Sequence, residues 1–418
     1  MFTKNPTLET VTFFMEKLGN PHEKFKSIYV TGTNGKGSVC ETLFAVLTNS
    51  GYKTGKFMSP FLLELSEYIV IDDNQINGKE IEEYLKELKP LIDEKQKAGV
   101  FVTFWEVITS LAFMHFAKNK VDIAIIETGI ESPVDCTNII DSLVTIITKV
   151  DIDHETLLGH TVEENMREVM KCIKPNIPVI SANNLKKVLI NDDDFSDNFS
   201  GGNLLSAPYI LKVKAKDAKN YQTPLKGKFQ KENLALSLKC FEQLCEKGFD
   251  ITNEQIHEGL KKIKHNARFE TISIFPKVIF DGCHNANSVG AFTDILKENF
   301  AKDENKVLIV SLLKDKDINS FMKEFAKGMK KVKNAKIIFT SGTSVIMQGG
   351  SSGVFYSSQE LKEVYGKYIK NLKRKKIQLT EMSFEEALSK TDNESTTFII
   401  GSFKTYPKSL EILSKQCV

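Results

Sequence analysis

The chain has 418 residues, with 56 lysine and arginine residues against 54 aspartate and glutamate residues, and a formal net charge of +2. Hydrophobic residues make up 41% and charged residues 26%, values that exclude a disordered or fibrous chain. The nearly balanced charge removes the usual electrostatic argument for a nucleic-acid-binding or membrane-surface protein. The length predicts two or three domains.

The seven cysteines are scattered along the chain and include no CxxC pair, so neither a disulfide framework nor a zinc cluster is indicated. The N-terminal segment lacks the charged and apolar regions of a signal peptide. No run of 18 apolar residues is present, so no transmembrane helix is predicted. We therefore expect a soluble, cytoplasmic protein with reduced cysteines and no nucleic-acid or membrane partner.

The first third of the sequence alternates between strand and helix patterns. Short apolar or β-branched runs predict strands, and apolar residues at helical spacing predict helices. In chain order the predicted elements are a strand over Ser27–Val30, a helix over Val39–Ser50, helices over Ile81–Lys97 and Trp105–Phe116, and strands over Val121–Ile126 and Leu143–Val150. Strands separated by helices predict an α/β fold with a doubly wound, mostly parallel sheet.

A second α/β series is predicted toward the C-terminus. It is preceded by an acidic, Ser/Gly-rich loop and a helix, and it contains a further glycine-rich loop. In chain order these elements are the loop Asp192–Asn203, the helix Gln230–Gln243, strands at Lys277–Phe280, Lys306–Leu312, Lys336–Thr340 and Thr397–Ile400, and the loop Gly349–Gly353. A boundary near Asn266–Arg268 divides the chain into predicted domains 1–266 and 267–418.

The segment Gly32–Ser38, called the phosphate loop below, lies between the first predicted strand and the following helix. Its glycines allow successive backbone N–H groups to converge, the helix N-terminus adds a positive dipole, and Lys36 supplies a point charge for phosphate oxygens. An extra glycine separates Lys36 from Ser38, so the string departs from the standard G-x-x-x-x-G-K-[ST] loop. The pattern nevertheless predicts a phosphate-binding site, and an ordinary Gly/Asn turn is the alternative.

The stretch Val30–Ser38 resembles the ATP loop of the Mur ligase family, and within it most closely that of folylpolyglutamate and dihydrofolate synthases. Further segments resemble that family in the same order along the chain. They are Met58–Pro60, Thr103–Glu106, Glu127–Asn138, Asp153–Thr161, Gly227–Asn233, Arg268–Glu270, Asp281–Asn285, Lys314–Asp317 and Gly401–Ser402.

The resemblance implies a P-loop ATPase domain, here 1–266, followed by a smaller Rossmann-like domain, here 267–418, with the active site in the cleft between them. It also implies an ATP-dependent amide ligase that uses ATP and Mg²⁺. Such an enzyme transfers the γ-phosphate to a folate-type carboxylate, and the amine of L-glutamate then attacks the acyl phosphate. The resemblance also implies a monomer, because members of that family are often monomeric.

Polar residues follow two predicted strands, where α/β sites form. Glu127 ends one strand run and His154 follows another. By resemblance, Glu127, His154, Ser59 and Ser38 are expected to hold magnesium, although capping or loop hydrogen bonding would also explain a polar residue at a strand end. Catalytic roles are implied for Lys36, His154 and Arg268.

The resemblance also implies a set of ATP-contacting residues. They are Thr33, Asn34, Gly35, Lys36, Gly37, Ser38, Gln230, Asn233, Arg268, Asp281 and His284. Arg268 is one of only three arginines, and its planar guanidinium group can donate two hydrogen bonds to a phosphate. Three alternatives stay open: a surface arginine on a linker for Arg268, an Asp-Gly turn for Asp281, and a solvated helix face for Gln230 and Asn233.

Four departures from the family pattern affect substrate and metal recognition. Glu131–Pro133 stands where the family has two glycines and an arginine, which predicts a stiffer and more acidic loop. Val169 stands where the family has a carbamylated lysine, so we expect the second metal site to be altered or absent. Phe61 and Phe229 each replace a histidine.

Three hypotheses follow for the function. The first is a folylpolyglutamate or dihydrofolate synthase. The second is a divergent ligase of the same family that acts on a different carboxylate. The third is a nucleotide-binding protein that has lost ligation, a hypothesis that Val169 and Pro133 leave open. Arguing against it are the intact family residues Lys36, Glu127, His154 and Arg268.

Overall fold

The computed structural model describes residues 7–152, 159, 161–183, 210–342, 345–346, 352–369 and 377–416. The chain divides into two units, the first formed by Met1–Pro224 with Lys228–Lys264 and the second by Leu225–Gly227 with His265–Val418. The predicted ligand His154 and the predicted loop Asp192–Asn203 lie outside the described residues.

The described strands of the first unit form one eight-stranded sheet. They are β1 (Lys26–Thr31), β2 (Thr54–Phe57), β3 (Ile69–Ile71), β4 (Asn74–Gln75), β5 (Ile123–Glu127), β6 (Val144–Ile147), β7 (Val179–Ser181) and β8 (Ile210–Lys212). The order across the sheet is β4-β3-β2-β5-β1-β6-β7-β8. β2, β5, β1, β6, β7 and β8 run parallel, whereas β3 and β4 are antiparallel additions at one edge.

Helices cover both faces of this sheet. They are α1 (Glu9–Lys17), α2 (Lys36–Asn49), α3 (Gly78–Lys97), α4 (Phe104–Lys118), α5 (Val162–Lys171), α6 (Gln230–Glu246) and α7 (Asn253–Lys261). On one face, α1, α3 and α4 share an apolar core with Tyr29 of β1 and Ile126 of β5. The alternate strand residues Ile28 and Val30 are also fully buried, and α2 packs on β1, β2 and β5 and against α6 and α7.

The second unit contains a six-stranded sheet with the order β15-β12-β11-β16-β10-β9. Its strands and those of a short hairpin are β9 (Glu270–Ser273), β10 (Val278–Asp281), β11 (Asn305–Val310), β12 (Ala335–Phe339), β13 (Val345–Ile346), β14 (Ser352–Gly353), β15 (Ile377–Glu381) and β16 (Ser395–Ile400). Only β9 is antiparallel within the six-stranded sheet, and β13 pairs with β14.

The second unit has five described α-helices. They are α8 (Ala286–Asn299), α9 (Ile318–Met329), α10 (Ser358–Tyr368), α11 (Phe384–Ser389) and α12 (Tyr406–Gln416). Of these, α8, α9 and α10 contribute side chains to a second apolar core. Phe292, Phe325 and Phe398 are buried in that core. No helix in the described part of either unit is long and apolar enough to span a bilayer.

The predicted α/β class with mostly parallel sheets is confirmed, and the differences lie at element ends. The predicted strand Leu143–Val150 is shorter and spans only Val144–Ile147, because the chain after it turns to hydrogen-bond with the phosphate loop. The sequence predicts a loop throughout Gly349–Gly353. That prediction is wrong for Ser352–Gly353, which forms a short strand paired with β13. Residues 349–351 lie outside the described ranges.

Candidate nucleotide site

The phosphate loop connects the end of β1 to the start of α2, a helix of 14 residues. Gly32 and Gly35 have φ values of 111° and 104°, which lie in the left-handed region that favours glycine. A Cβ atom at Gly32 would lie 2.5 Å from Oγ1 of Thr148. Gly37 is the second residue of α2. The loop therefore turns tightly into the helix and presents a helix N-terminus, which favours anions.

Thr33 and Asn34 are tied to the chain that follows β6. Their backbone N–H groups donate to the Lys149 carbonyl oxygen at 3.0 and 2.9 Å. The Thr33 hydroxyl donates to the Asp151 carbonyl oxygen and accepts from the Asp151 N–H, both at 3.0 Å. Asn165 of α5 donates to the same Asp151 carbonyl oxygen at 2.8 Å. These bonds hold the loop in place before any ligand binds, which lowers the cost of ordering it.

The Lys36 ammonium group donates hydrogen bonds to Gly32 and Glu131 among the described residues. Its Nζ donates to the Gly32 carbonyl oxygen at 2.7 Å and to Oε1 of Glu131 at 2.5 Å. The Lys36 side chain is 15% exposed and that of Glu131 is 2% exposed. A protein carboxylate therefore occupies a position on the lysine that a phosphate oxygen could take.

Two residues of α6 face the phosphate loop. Nε2 of Gln230 donates to the Ser38 hydroxyl at 3.2 Å, and Nδ2 of Asn233 donates to Oε1 of Gln230 at 2.9 Å. Both α6 residues are buried. The alternative of a solvated helix face is therefore wrong for Gln230 and Asn233, whereas their contact with adenine stays a prediction.

Glu127 is the last residue of β5 and lies opposite Val30 of β1 in the strand register. It is buried, and its Oε2 accepts from the backbone N–H of Ser59, in the segment after β2, at 3.2 Å. The parallel strands thus bring Glu127 and Ser59 together at the edge of the sheet from which the phosphate loop emerges.

The oxygen donors at this edge fit a hard divalent cation such as Mg²⁺, which prefers carboxylate and hydroxyl oxygens. Glu127 and Glu131 supply carboxylates, and Ser38 supplies a hydroxyl. Oε2 of Glu131 is buried and has no hydrogen-bond partner within the described ranges. Across the described ranges no three His, Cys, Asp or Glu side chains are grouped as a ready metal site. The structure does not describe His154, so its role as a ligand stays a prediction.

Asp135 organises the turn that follows β5. Its Oδ2 accepts from the N–H groups of Gly129 and Ile130 at 3.0 and 2.8 Å, and its Oδ1 accepts from the Thr137 N–H at 2.9 Å. Burial raises the pKa of the Asp135 carboxyl, while hydrogen bonds from Thr137, Ile130 and Trp105 oppose that shift. The turn is therefore held rigidly from within.

In the second unit, the Arg268 cluster consists of Arg268, Asp281, His284 and Phe403. The Arg268 guanidinium carbon lies 4.3 Å from the centre of the Phe403 ring, and the His284 ring lies 5.7 Å from it. Burial raises the pKa of Asp281, and the charge of Arg268 opposes that shift. Oδ1 of Asp281 also accepts from the Cys283 N–H at 2.9 Å, as an Asp-Gly turn would. Arg268, Asp281 and His284, which the sequence predicts as nucleotide contacts, therefore lie close together.

The backbone on either side of Arg268 adopts a rare conformation. Ala267 and Phe269 have φ values of 56° and 48°, in the region that residues other than glycine seldom occupy. The Phe269 N–H donates to Oδ2 of Asp281 at 2.9 Å, and the Ala267 N–H donates to Oε2 of Glu270 at 2.6 Å. Strained backbone of this kind clusters at functional sites. Arg268 thus lies in a constrained turn rather than on an extended linker.

Val169 is fully buried and belongs to an apolar cluster. The other buried members of this cluster, from α5, β6, β7 and the chain that follows β6 and α5, are Ile147, Val150, Met166, Met170, Ile173 and Val179. Phe61 packs against Tyr68, with 5.5 Å between the ring centres, and Phe229 is 42% exposed just before α6. The predicted alteration of the second metal site stays a prediction.

The partnership of Glu131 with Lys36 was not predicted from the sequence, in which Glu131 stands out only as an acidic departure from the family pattern. The two residues are 95 positions apart and share no motif, so the local pattern contains no signal for the pair. The pair becomes visible only when β1 is placed beside β5. That pairing sets the phosphate loop next to the segment that follows Glu127.

The sequence matches no protein-family model. It is 31% identical over 341 residues to a dihydrofolate synthase/folylpolyglutamate synthase of Bacillus subtilis, an alignment that covers 77% of this chain and 79% of that protein. It is 30% identical over 321 residues to a folylpolyglutamate synthase of Lacticaseibacillus casei, covering 72% and 74% of the two chains.

Solved structures share the fold over nearly the whole chain. A folylpolyglutamate synthase of Thermotoga maritima superposes with a TM-score of 0.77 at 24% identity, covering 99% of this chain and 94% of that one. The Escherichia coli enzyme FolC in complex with DHPP and ADP superposes with a TM-score of 0.78 at 21% identity, covering 100% and 95%. At these identities the structural likeness establishes the fold.

Proposed function

The chain belongs to the folylpolyglutamate synthase/dihydrofolate synthase family, and on that basis we propose that it is an ATP-dependent ligase that joins L-glutamate to a folate-type carboxylate. The single observation that carries the proposal is the phosphate loop, whose tight glycine turn delivers Lys36 and a helix N-terminus to the carboxyl edge of a parallel sheet. This arrangement suits the phosphates of a nucleotide.

We assign the nucleotide contacts to two groups of residues. In the first unit these are the phosphate loop from Thr33 to Ser38 together with Gln230 and Asn233, whose side chains are linked to the loop through the Ser38 hydroxyl. In the second unit they are Arg268, Asp281 and His284 of the Arg268 cluster. Arg268 is the residue proposed to reach phosphate, because its guanidinium can pair with two phosphate oxygens at once.

The proposed reaction has two steps and needs no enzyme nucleophile. The substrate carboxylate attacks the γ-phosphorus of ATP, which releases ADP and leaves an acyl phosphate. The neutral amine of glutamate then attacks the acyl carbon, the nitrogen loses a proton to water, and inorganic phosphate departs from the tetrahedral intermediate with the C–O electron pair. Lys36 and the N–H groups at the start of α2 neutralise charge on the transferring phosphate, so positioning and electrostatics supply the catalysis.

Glu127, Ser59 and Ser38 are the described residues proposed to hold Mg²⁺, with His154 as a further proposed ligand. When bound, Mg²⁺ supplies positive charge to the phosphate oxygens. Glu127 also receives the Ser59 N–H, which fixes the direction of its carboxylate. We further propose that the enzyme works as a monomer in the cytoplasm, where the buried thiols of Cys40, Cys172 and Cys283 stay reduced.

The direct test is phosphate release from ATP in the presence of glutamate with either dihydropteroate or tetrahydrofolate, compared with glutamate alone. We expect release that depends on the pterin compound and is lost in Lys36→Ala. Turnover with another acid and no pterin would favour a divergent ligase of the same family. Binding of ADP without any phosphate release would favour a nucleotide-binding protein that has lost ligation.

A further inference from the structure

The phosphate-binding lysine is already paired with a carboxylate of the same chain. The distance from Nζ of Lys36 to Oε1 of Glu131 is 2.5 Å, and both side chains are withdrawn from solvent. A charge-assisted hydrogen bond of this kind is among the stronger pairings in proteins. A nucleotide phosphate that needs Lys36 must therefore compete with Glu131.

Glu131 cannot easily swing away from the loop. The turn that carries it is fixed by Asp135, which accepts from the N–H groups of Gly129 and Ile130, and by the Ser132 N–H, which donates to the Ile130 carbonyl oxygen at 2.8 Å. Pro133, two residues later, restricts the backbone further. The carboxylate therefore stays beside the loop when Lys36 turns to a phosphate.

The second oxygen of Glu131 adds an independent observation. Oε2 is buried and accepts no hydrogen bond from any residue that the structure describes, although a carboxylate oxygen normally accepts two bonds. If Lys36 moved to a phosphate, both oxygens of Glu131 would face a polyanion with no other positive charge from the described residues bonded to them, and like charges at short range repel. A divalent cation is the species that can satisfy a carboxylate and phosphate oxygens together.

We propose that Glu131 makes nucleotide binding an exchange of ion pairs: it occupies Lys36 while the site is empty, and it becomes a carboxylate partner of the divalent cation that enters with the nucleotide. This inference rests on the proposed nucleotide-binding function. It gives Glu131 a double effect, since the residue opposes binding of a nucleotide without metal and favours binding of the same nucleotide with metal. Glu131 thereby sets how steeply binding depends on the metal.

The test is the dissociation constant of ADP, measured calorimetrically on the full chain with and without Mg²⁺. The informative quantity is the ratio of the metal-free to the metal-containing constant. In Glu131→Gln we expect metal-free ADP to bind about tenfold more tightly, because Lys36 no longer has to leave a carboxylate. We expect ADP with Mg²⁺ to bind severalfold more weakly, because the cation loses a carboxylate partner. The ratio of the two dissociation constants should therefore be much smaller in Glu131→Gln than in the unmodified protein.

Glu41→Gln provides a matched control. Glu41 lies on α2, the helix that begins with Lys36, and its Oε1 pairs with Nζ of Lys56 at 2.8 Å. The two side chains are 16% and 13% exposed. This pair resembles that of Glu131 in type and burial but does not involve the phosphate loop. The ratio should match that of the unmodified protein, and an equal collapse in Glu41→Gln would overturn the proposal.

Should Glu131→Gln fail to fold, Glu131→Asp replaces it. The aspartate keeps the charge but withdraws the carboxylate by one methylene group, so metal-free ADP should again bind more tightly than in the unmodified protein. Unchanged affinities in whichever variant folds would overturn the ion-pair exchange while leaving the proposed function standing. Failure of the unmodified chain to bind ADP even with Mg²⁺ would overturn both.

Discussion

A Cβ atom on Gly35 would lie 2.5 Å from Oδ1 of Asn233, so the amide of a residue in α6 closes directly over the phosphate loop. The two residues are far apart in the sequence, and their contact couples the loop to the helix that also bears Gln230. Gly35 is required here for two separate reasons, its φ of 104° and the lack of space for any side chain.

Gly35→Ala should therefore destroy nucleotide binding. The positive φ costs an alanine about 1–2 kcal/mol, and the clash with Asn233 must in addition displace either the loop or α6. Gly51→Ala is the matched control, because Gly51 has a φ of 87° but nothing within 4 Å of its Cβ position. The two variants should lose similar stability from strain, and only Gly35→Ala should lose ADP binding in calorimetry. Equal ADP affinities would contradict the prediction.

Arg268→Lys should weaken ATP binding although it keeps the charge. Lysine has neither the planar fork for phosphate nor the flat face that lies 4.3 Å from the Phe403 ring centre. We expect the KM for ATP to rise by about tenfold, equivalent to about 1.4 kcal/mol. Lys277→Ala, which removes an ammonium 5.2 Å from the Phe300 ring centre in the same unit, should leave that KM unchanged. An unaltered KM in Arg268→Lys would argue against a phosphate contact.

Val169→Lys should destabilise the protein rather than restore a metal site. Val169 is fully buried among apolar side chains, and an unpaired ammonium there would cost about 3–5 kcal/mol. The matched control is Val162→Lys on the same helix, where the valine is 37% exposed. Thermal unfolding should show a large decrease in Tm for the first variant and little change for the second. An increase in ligase activity for Val169→Lys with an unchanged Tm would refute this expectation.

The contributions of His115 and His22 to stability should decrease as the pH is lowered below about 6.5, the ordinary pKa of histidine. Burial lowers the pKa values of both side chains, so below pH 6.5 these two histidines bind more protons in the unfolded chain than in the folded chain. The loss continues until the pH reaches the lowered pKa values of the folded state.

Of the two histidines, His115 is the better one to substitute in a test of this pH dependence, because it is buried. Its Nδ1 lies 3.3 Å from the Tyr84 hydroxyl and 3.2 Å from Nδ2 of Asn119. Replacing His115 with Gln should flatten the decrease in Tm between pH 7.5 and pH 5. The exposed His257 provides the comparison, and His257→Gln should keep the full decrease. Parallel pH profiles for His115→Gln and the unmodified protein would rule out His115 as the source.

The phosphate loop could be read directly from the sequence, because its glycines, its lysine and the flanking strand and helix are neighbours along the chain. The same holds for the strands β1, β5 and β11, whose β-branched runs predict buried parallel strands. The ends of elements were less predictable. β6 ends early because its continuation hydrogen-bonds to Thr33 and Asn34 rather than to a neighbouring strand.

The sequence by itself thus determined the α/β class, the phosphate loop and the motif order that connects the chain to its family, because each depends on short-range pattern. Only the tertiary structure decided which distant side chains meet. Gln230 reaches Ser38 across 192 positions, and Glu131 reaches Lys36 across 95. The first pair depends on the packing of α6 against α2, and the second depends on the pairing of β1 with β5, which brings two charges together in a buried environment where they interact strongly. The lysine that the sequence predicts as a partner for phosphate is, in the fold, already the partner of a carboxylate.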